Sequence, residues 1–104
     1  MEQVETIASP VILDFEILNV LRRQIQDKLI TQARAEEALA LYWALPFKKF
    51  DTSLLVGGIW KLRNNFTAYD ASYIALAELL DISLYTKDKK WRDKPGHNAD
   101  IRFI

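Results

Sequence analysis

Two kinds of apolar spacing alternate along this chain, and that alternation restricts its fold more than any other feature. Stretches of helical period take turns with short stretches of strand period, the pattern of an α/β domain layered around a mainly parallel sheet. Ser9-Pro10 reads as a helix start, with Ser as N-cap and Pro at the first helical position. A helix is therefore expected from Pro10 to about Lys28, with Leu13, Ile17, Val20, Leu21 and Ile25 at helical spacing. Thr31 caps a second helix to about Leu45, stopped by Pro46. A third runs from Thr52 or Ser53 to about Asn64, with Gly57-Gly58 in its middle marking either close packing or a kink. Thr67-Ala68-Tyr69-Asp70 is a capping box that opens a fourth helix to about Leu80. Val4 to Ile7, Phe47 to Asp51, Ile82 to Thr86 and Asp100 to Ile104 read as short extended pieces.

Without repeats, low-complexity tracts or a Pro/Gly-rich linker, residues 1–104 are expected to form a single domain. Lys plus Arg balance Asp plus Glu, so any attraction for nucleic acid has to come from a local patch. The absence of Cys removes disulfides, zinc-thiolate sites and thiol catalysis. The opening Met1-Glu2-Gln3-Val4-Glu5 is no signal peptide, and no apolar run approaches the ~18 residues of a membrane span. A cytoplasmic protein without membrane attachment is expected.

Three carboxylates stand in unusual places. Glu16 shares a helical stripe with Ile12, Leu13 and Val20, where a charge is costly unless paired or bound to metal. A boundary position reaching solvent, or a pair with Arg23, accounts for it as well. Asp70 sits where a carboxylate helps cap a helix, yet it lines up with Ile74 and Ala77 on the inward stripe. Asp88 follows a strand end, with Thr86 two residues earlier. Open α/β sheets build sites there, although a plain turn aspartate is the simpler account. Were the three acids to meet in one crevice, their hard oxygens would suit Mg²⁺ or Mn²⁺. The chemistry would then be phosphodiester hydrolysis by metal-activated water. The missing Cys agrees with this, as does the lack of a Ser-His pattern, and no glycine-rich phosphate loop competes.

Lys87, Lys89, Lys90, Arg92 and Lys94 surround Asp88 and Trp91. Such a segment can follow an RNA phosphate path and stack a base; it can equally be a solvated loop. His97, in Pro95-Gly96-His97-Asn98, reads as an exposed turn outside the chemistry. Tyr42, Trp43 and Trp60 read as core or dimer packing. The Leu-rich first two helices are candidates for a homodimer face or a partner groove.

Four segments together resemble the VapC toxin kind of PIN domain. Thr67-Ala68-Tyr69-Asp70-Ala71-Ser72-Tyr73-Ile74-Ala75-Leu76-Ala77 is similar to that family's TAYDAxYxALA helix start, and Leu84-Tyr85-Thr86-Lys87-Asp88 to its LxTxD strand end. Ser9 to Arg23 resembles its glutamate-bearing helix, and Asp100 to Ile104 its closing strand. The resemblance implies a metal-dependent endoribonuclease, usually dimeric and held inactive by an antitoxin. Glu16, Asp70 and Asp88 would be the second, third and fourth acids around Mg²⁺ or Mn²⁺, with Thr86 as a supporting hydroxyl.

The resemblance also implies an opening strand that ends in Asp-x-Ser, and nothing in this sequence corresponds to it. A PIN-like α/β/α domain shortened at its start is therefore expected, with about four helices and short strands. Without one of four acids, the chain by itself is expected to bind metal weakly. An inactive remnant that dimerises or binds an antitoxin is the alternative to an active nuclease.

Overall fold

The computed structural model describes residues 7–103, so the extended piece expected at Val4 to Ile7 lies outside the described residues except for Ile7. The chain falls into two compact units, Met1–Lys49 and Phe50–Ile104. Its described elements are five α-helices, one 3-10 turn and four short strands, the α/β class expected from the sequence, with one short helix more than the four expected.

The first unit contains β1 (Ile7–Pro10), α1 (Ile12–Gln26), α2 (Gln32–Ala44) and β2 (Phe47–Phe50, whose last residue opens the second unit). β1 pairs with β2. Ser9-Pro10 therefore belongs to a strand and does not start α1, contrary to the sequence reading. Both residues are buried, and the Ser9 hydroxyl has no hydrogen-bond partner among the described residues. The fixed φ of proline suits a strand end as well as a first helical turn. Val11 takes the N-cap position with no side-chain bond. α2 begins as expected, because Thr31 Oγ1 accepts the Arg34 amide at 3.2 Å.

Asp14, Tyr42 and Lys49 tie α1, α2 and β2 together. Asp14 Oδ1 accepts the Tyr42 hydroxyl at 2.7 Å and pairs with Lys49 Nζ at 2.6 Å. The Lys49 ammonium also lies 4.0 Å from the Trp43 ring centroid. Burial pushes the Asp14 carboxyl up, but the bonds from Lys49 and Tyr42 and the Lys49 charge outweigh it and hold the group below its usual value. Burial and the bond to Asp14 push the Tyr42 phenol up from 10.0 to about 12. Because the folded state keeps that proton, the stability it contributes is complete below pH 10 and lost as pH rises through about 12. The alkaline fall in the urea midpoint should be smaller in Tyr42→Phe than in the parent. Identical alkaline limbs in the two proteins would rule the linkage out.

The second unit contains the 3-10 turn Thr52–Leu54, α3 (Val56–Lys61), α4 (Ala68–Leu80), β3 (Leu84–Thr86), α5 (Lys90–Asp93) and β4 (Ile101–Phe103). The third helix is thus shorter than its periodicity predicts. Gly58 explains the local constraint: a Cβ there would lie 2.9 Å from the Ala75 Cβ, so α3 packs backbone-close on α4. Gly57 has open space around it. Gly57→Ala should stabilise by about 0.5–1 kcal/mol through helix propensity. Gly58→Ala should destabilise by about 1–3 kcal/mol through overpacking. Urea midpoints read both, and the reverse ranking would refute this packing account.

β3 and β4 pair in parallel, with Leu84 opposite Ile101, Tyr85 opposite Arg102 and Thr86 opposite Phe103. Leu62, Phe66, Ala71, Ile74 and Ile101 form the buried cluster, with Ile59, Leu84, Trp91 and Ala99 packed against it. α4 ends at Asp81 with φ 54, and the Ile82 amide donates to the Ala77 carbonyl at 3.1 Å, a Schellman closure made without glycine.

Candidate functional site

The local chemistry of α4 places Asp70. Thr67 Oγ1 accepts the Asp70 amide at 3.1 Å, so the cap uses Asp70's backbone and does not require its carboxylate. One turn and two turns later come Ile74 and Ala77, both buried, and Asp70 itself is half-buried. The inward stripe read from the sequence is therefore present, with an acid at its amino end.

The parallel pairing of β3 and β4 places Thr86 and Asp88. Thr86 ends β3 and is half-buried; its Oγ1 accepts the Asp88 amide at 3.1 Å. The exposed Asp88 accepts the Lys90 amide on Oδ1 at 2.9 Å, which opens the single turn of α5. Asp88 is thus a turn aspartate, but one that stands at the carboxyl end of a parallel strand, where open α/β sheets gather ligands. An ionised carboxylate has about four acceptor sites, so this one bond does not exhaust it.

Glu16 lies on α1 of the first unit and is exposed, not seated on a buried stripe. Asp70, Thr86 and Asp88 all belong to the second unit. Within either unit, no group of three or more His, Asp or Glu among the described residues closes on a common point. The oxygens contributed by Asp70, Thr86 and Asp88 are hard donors with no sulfur or imidazole among them, the set that Mg²⁺ or Mn²⁺ accepts.

The basic segment folds as α5 and its flanks. Lys87, Lys89, Lys90, Arg92 and Lys94 are all exposed. Arg92 lies 4.3 Å from the Phe103 ring centroid, which holds the segment over the carboxyl end of β4. Trp91 is not available to stack a base. It is half-buried and packs on Phe66 and Tyr73, with ring centroids 6.5 and 6.3 Å away. His97 is a loop fastener, not an exposed turn residue. Its Nδ1 accepts the Ala99 amide at 3.1 Å and its Nε2 lies 3.1 Å from the Trp91 carbonyl.

Sequence reasoning missed the Asp14–Tyr42–Lys49 network, whose members are remote along the chain. Trp43 and Trp60, read as core or dimer packing, are both exposed on this chain, so neither belongs to its core. A second cleft of about 410 Å³, lined by Lys61, Glu78, Asp81 and Asp100 among others, opens at the amino-terminal end of the parallel strands. There Ser83 and Arg102 bond to Asp100 and hold its carboxyl below the usual value.

Known proteins resemble this chain along most of its length. The family model of the PIN domain matches residues 1–96. Ribonuclease VapC1 of Mycobacterium tuberculosis (strain ATCC 25618 / H37Rv) is 35% identical over 97 residues, covering 92% of this chain and 73% of that protein. Ribonuclease VapC9 of the same strain is 37% identical over 100 residues, 96% of this chain and 79% of that protein. Ribonuclease VapC12 is 28% identical over 100 residues, 96% and 78% respectively.

Proposed function

Since this chain belongs to the PIN-domain family, we propose that it is a metal-dependent endoribonuclease of the VapC kind, the toxin of a toxin–antitoxin pair. The observation that carries the reading is similarity to proteins named ribonucleases over more than nine-tenths of the chain. Asp70 and Asp88 hold the divalent ion, Mg²⁺ or Mn²⁺. Glu16 is the further acid that the family resemblance implies, and the Thr86 hydroxyl fixes the turn that presents Asp88. When bound, the ion activates a water and offsets charge on the phosphodiester in the transition state. Lys87, Lys89, Lys90 and Arg92 hold the phosphates on either side of the scissile bond, each as a charge contact that salt weakens.

A second reading has its own support. α1, α2 and the turn between them expose Phe15, Leu18, Leu29 and Leu41, and exposed apolar side chains of this kind mark interaction surfaces when they are contiguous. On this reading the chain is a non-catalytic module that covers those side chains with a second copy or with an antitoxin. Among the described residues no helix is long and apolar enough to cross a membrane, and the RNA and antitoxin partners agree with action in the cytoplasm.

Purified protein incubated with unpaired and structured RNAs in Mg²⁺, in Mn²⁺ and in EDTA separates the two. The nuclease reading expects cleavage with either metal and none in EDTA. Cleavage that persists in EDTA, or none under any condition from a well-folded oligomer, decides against it.

A further inference from the structure

We propose that the exposed side of α3 is a stacking platform for an unpaired RNA base, built on Trp60 and Arg63, and that it makes the protein prefer single strands to duplexes. The proposal rests on the ribonuclease reading for its ligand class, but on different residues from the metal site.

The core fixes which side of α3 faces outward. Ile59 and Leu62 pack into the buried cluster, and Gly58 abuts Ala75. Trp60 consequently cannot turn inward, and it is 67% exposed. A large exposed indole on a short, well-anchored helix calls for an explanation other than core packing. Arg63 supplies part of one. Its guanidinium lies 4.6 Å from the Trp60 ring centroid, and its Nη1 donates to the Trp60 carbonyl at 2.9 Å. Held in that position, the guanidinium has most of its five donors left for a phosphate, and indole and guanidinium planes are the two protein surfaces on which unpaired bases stack.

The surroundings favour a polyanion over a protein partner. Between Asp51 and Asp70 the chain has two cations, Lys61 and Arg63, and no acid; Lys61 lines the cleft with Glu78, Asp81 and Asp100, and Arg63 is the cation on the indole. Protein interface centres are depleted of charge, whereas here a guanidinium lies on the aromatic itself. Gly57, three residues before Trp60, has open space where a Cβ would stand. Arg63 precedes Asp70 by seven residues, so at most about 25 Å of extended chain separates them, a distance that a few nucleotides can span. Base stacking needs an unpaired, splayed base, and a duplex offers none.

Binding is read by fluorescence anisotropy in EDTA, so that no strand is cut, using a labelled unpaired oligoribonucleotide and the same strand annealed to its complement. Trp60→Ala should weaken binding of the unpaired strand by about 5- to 150-fold, Trp60→Phe by much less, and Arg63→Gln should reduce both the affinity and its salt dependence. Duplex binding should stay unchanged in all three. In Mg²⁺, Trp60→Ala should raise KM for unpaired RNA with kcat preserved. Wild-type binding that ignores strandedness overturns the platform, as does Trp60→Ala binding like the parent. A Trp60→Ala protein that changes oligomeric state with RNA affinity intact overturns it too, in favour of a protein contact. If the ribonuclease reading alone is wrong, stacking persists in EDTA while Mg²⁺ yields no product.

Discussion

Asp70→Asn should reduce metal-dependent RNA cleavage by roughly 10²-fold or more, the upper end of what even outer-shell changes cost a metal site, while leaving the fold in place. The substitution keeps the shape of the side chain and removes its charge. The bond that starts α4 is donated by the Asp70 amide to Thr67 Oγ1, and asparagine retains that amide. What α4 loses is a carboxylate near its positive end, a cost of about 0.3–1 kcal/mol. Melting should therefore shift by only a few degrees as activity disappears. Asp81→Asn is the matched control: it removes the same charge from the other end of α4, at a residue with φ 54 that asparagine adopts readily, and it should leave cleavage unchanged. Activity is read as single-turnover cleavage in Mg²⁺, and folding by circular dichroism. Equal activity in Asp70→Asn and Asp81→Asn would remove Asp70 from the metal centre.

The parts of this fold that were legible in the sequence are those decided within one turn or one strand. Thr31 and Thr67 announce their helices because each hydroxyl bonds an amide three residues on, a contact that needs no tertiary structure. Leu84 to Thr86 and Ile101 to Phe103 alternate visibly because one side of each faces the core. Ser9-Pro10 misled because a serine before a proline fits a strand end as well as a helix start, and pairing with β2 decides between them. The third helix is shorter than expected because Thr52–Leu54 forms a 3-10 turn and α3 ends at Lys61, and the close approach of Gly58 to Ala75 is a contact between elements that periodicity cannot register. Trp43 and Trp60 have apolar neighbours at helical spacing, which suggested core or dimer packing, but spacing does not say what covers a face, and both are exposed. The site divides in the same way. Asp70 and Asp88 could be picked out locally, one from a cap that has an apolar stripe behind it, the other from a strand end. Whether Glu16 joins them depends on long-range placement; its exposure on α1 matches the solvent-reaching position that its neighbours allowed.

The second large effect expected is on stability. Ile74→Ala should cost about 2–5 kcal/mol, enough to lower the melting temperature by roughly 10–30 °C in a domain of this size. Ile74 is 0% exposed and lies one helical turn after Asp70, in the cluster with Leu62, Phe66, Ala71 and Ile101. Removing its outer carbons leaves a cavity that rigid neighbours cannot fill: Ala71 and Ala75 are already small, and Gly58 holds α3 against α4. Ile74→Val should cost only about 0.5–1.5 kcal/mol, and Leu79→Ala, on the exposed side of the same helix, should fall within about 0.5 kcal/mol of the parent. Thermal and urea melts of the three variants give the ranking. A loss in Ile74→Ala no larger than in Leu79→Ala would mean that the cluster is not the core of the second unit. The same helix supplies Asp70 at its amino end and the largest buried aliphatic residue of α4 one turn later. The acid is consequently only as well positioned as that packing makes it. Ile74→Val should therefore retain cleavage below its own melting temperature, and Ile74→Ala should lose it together with the fold.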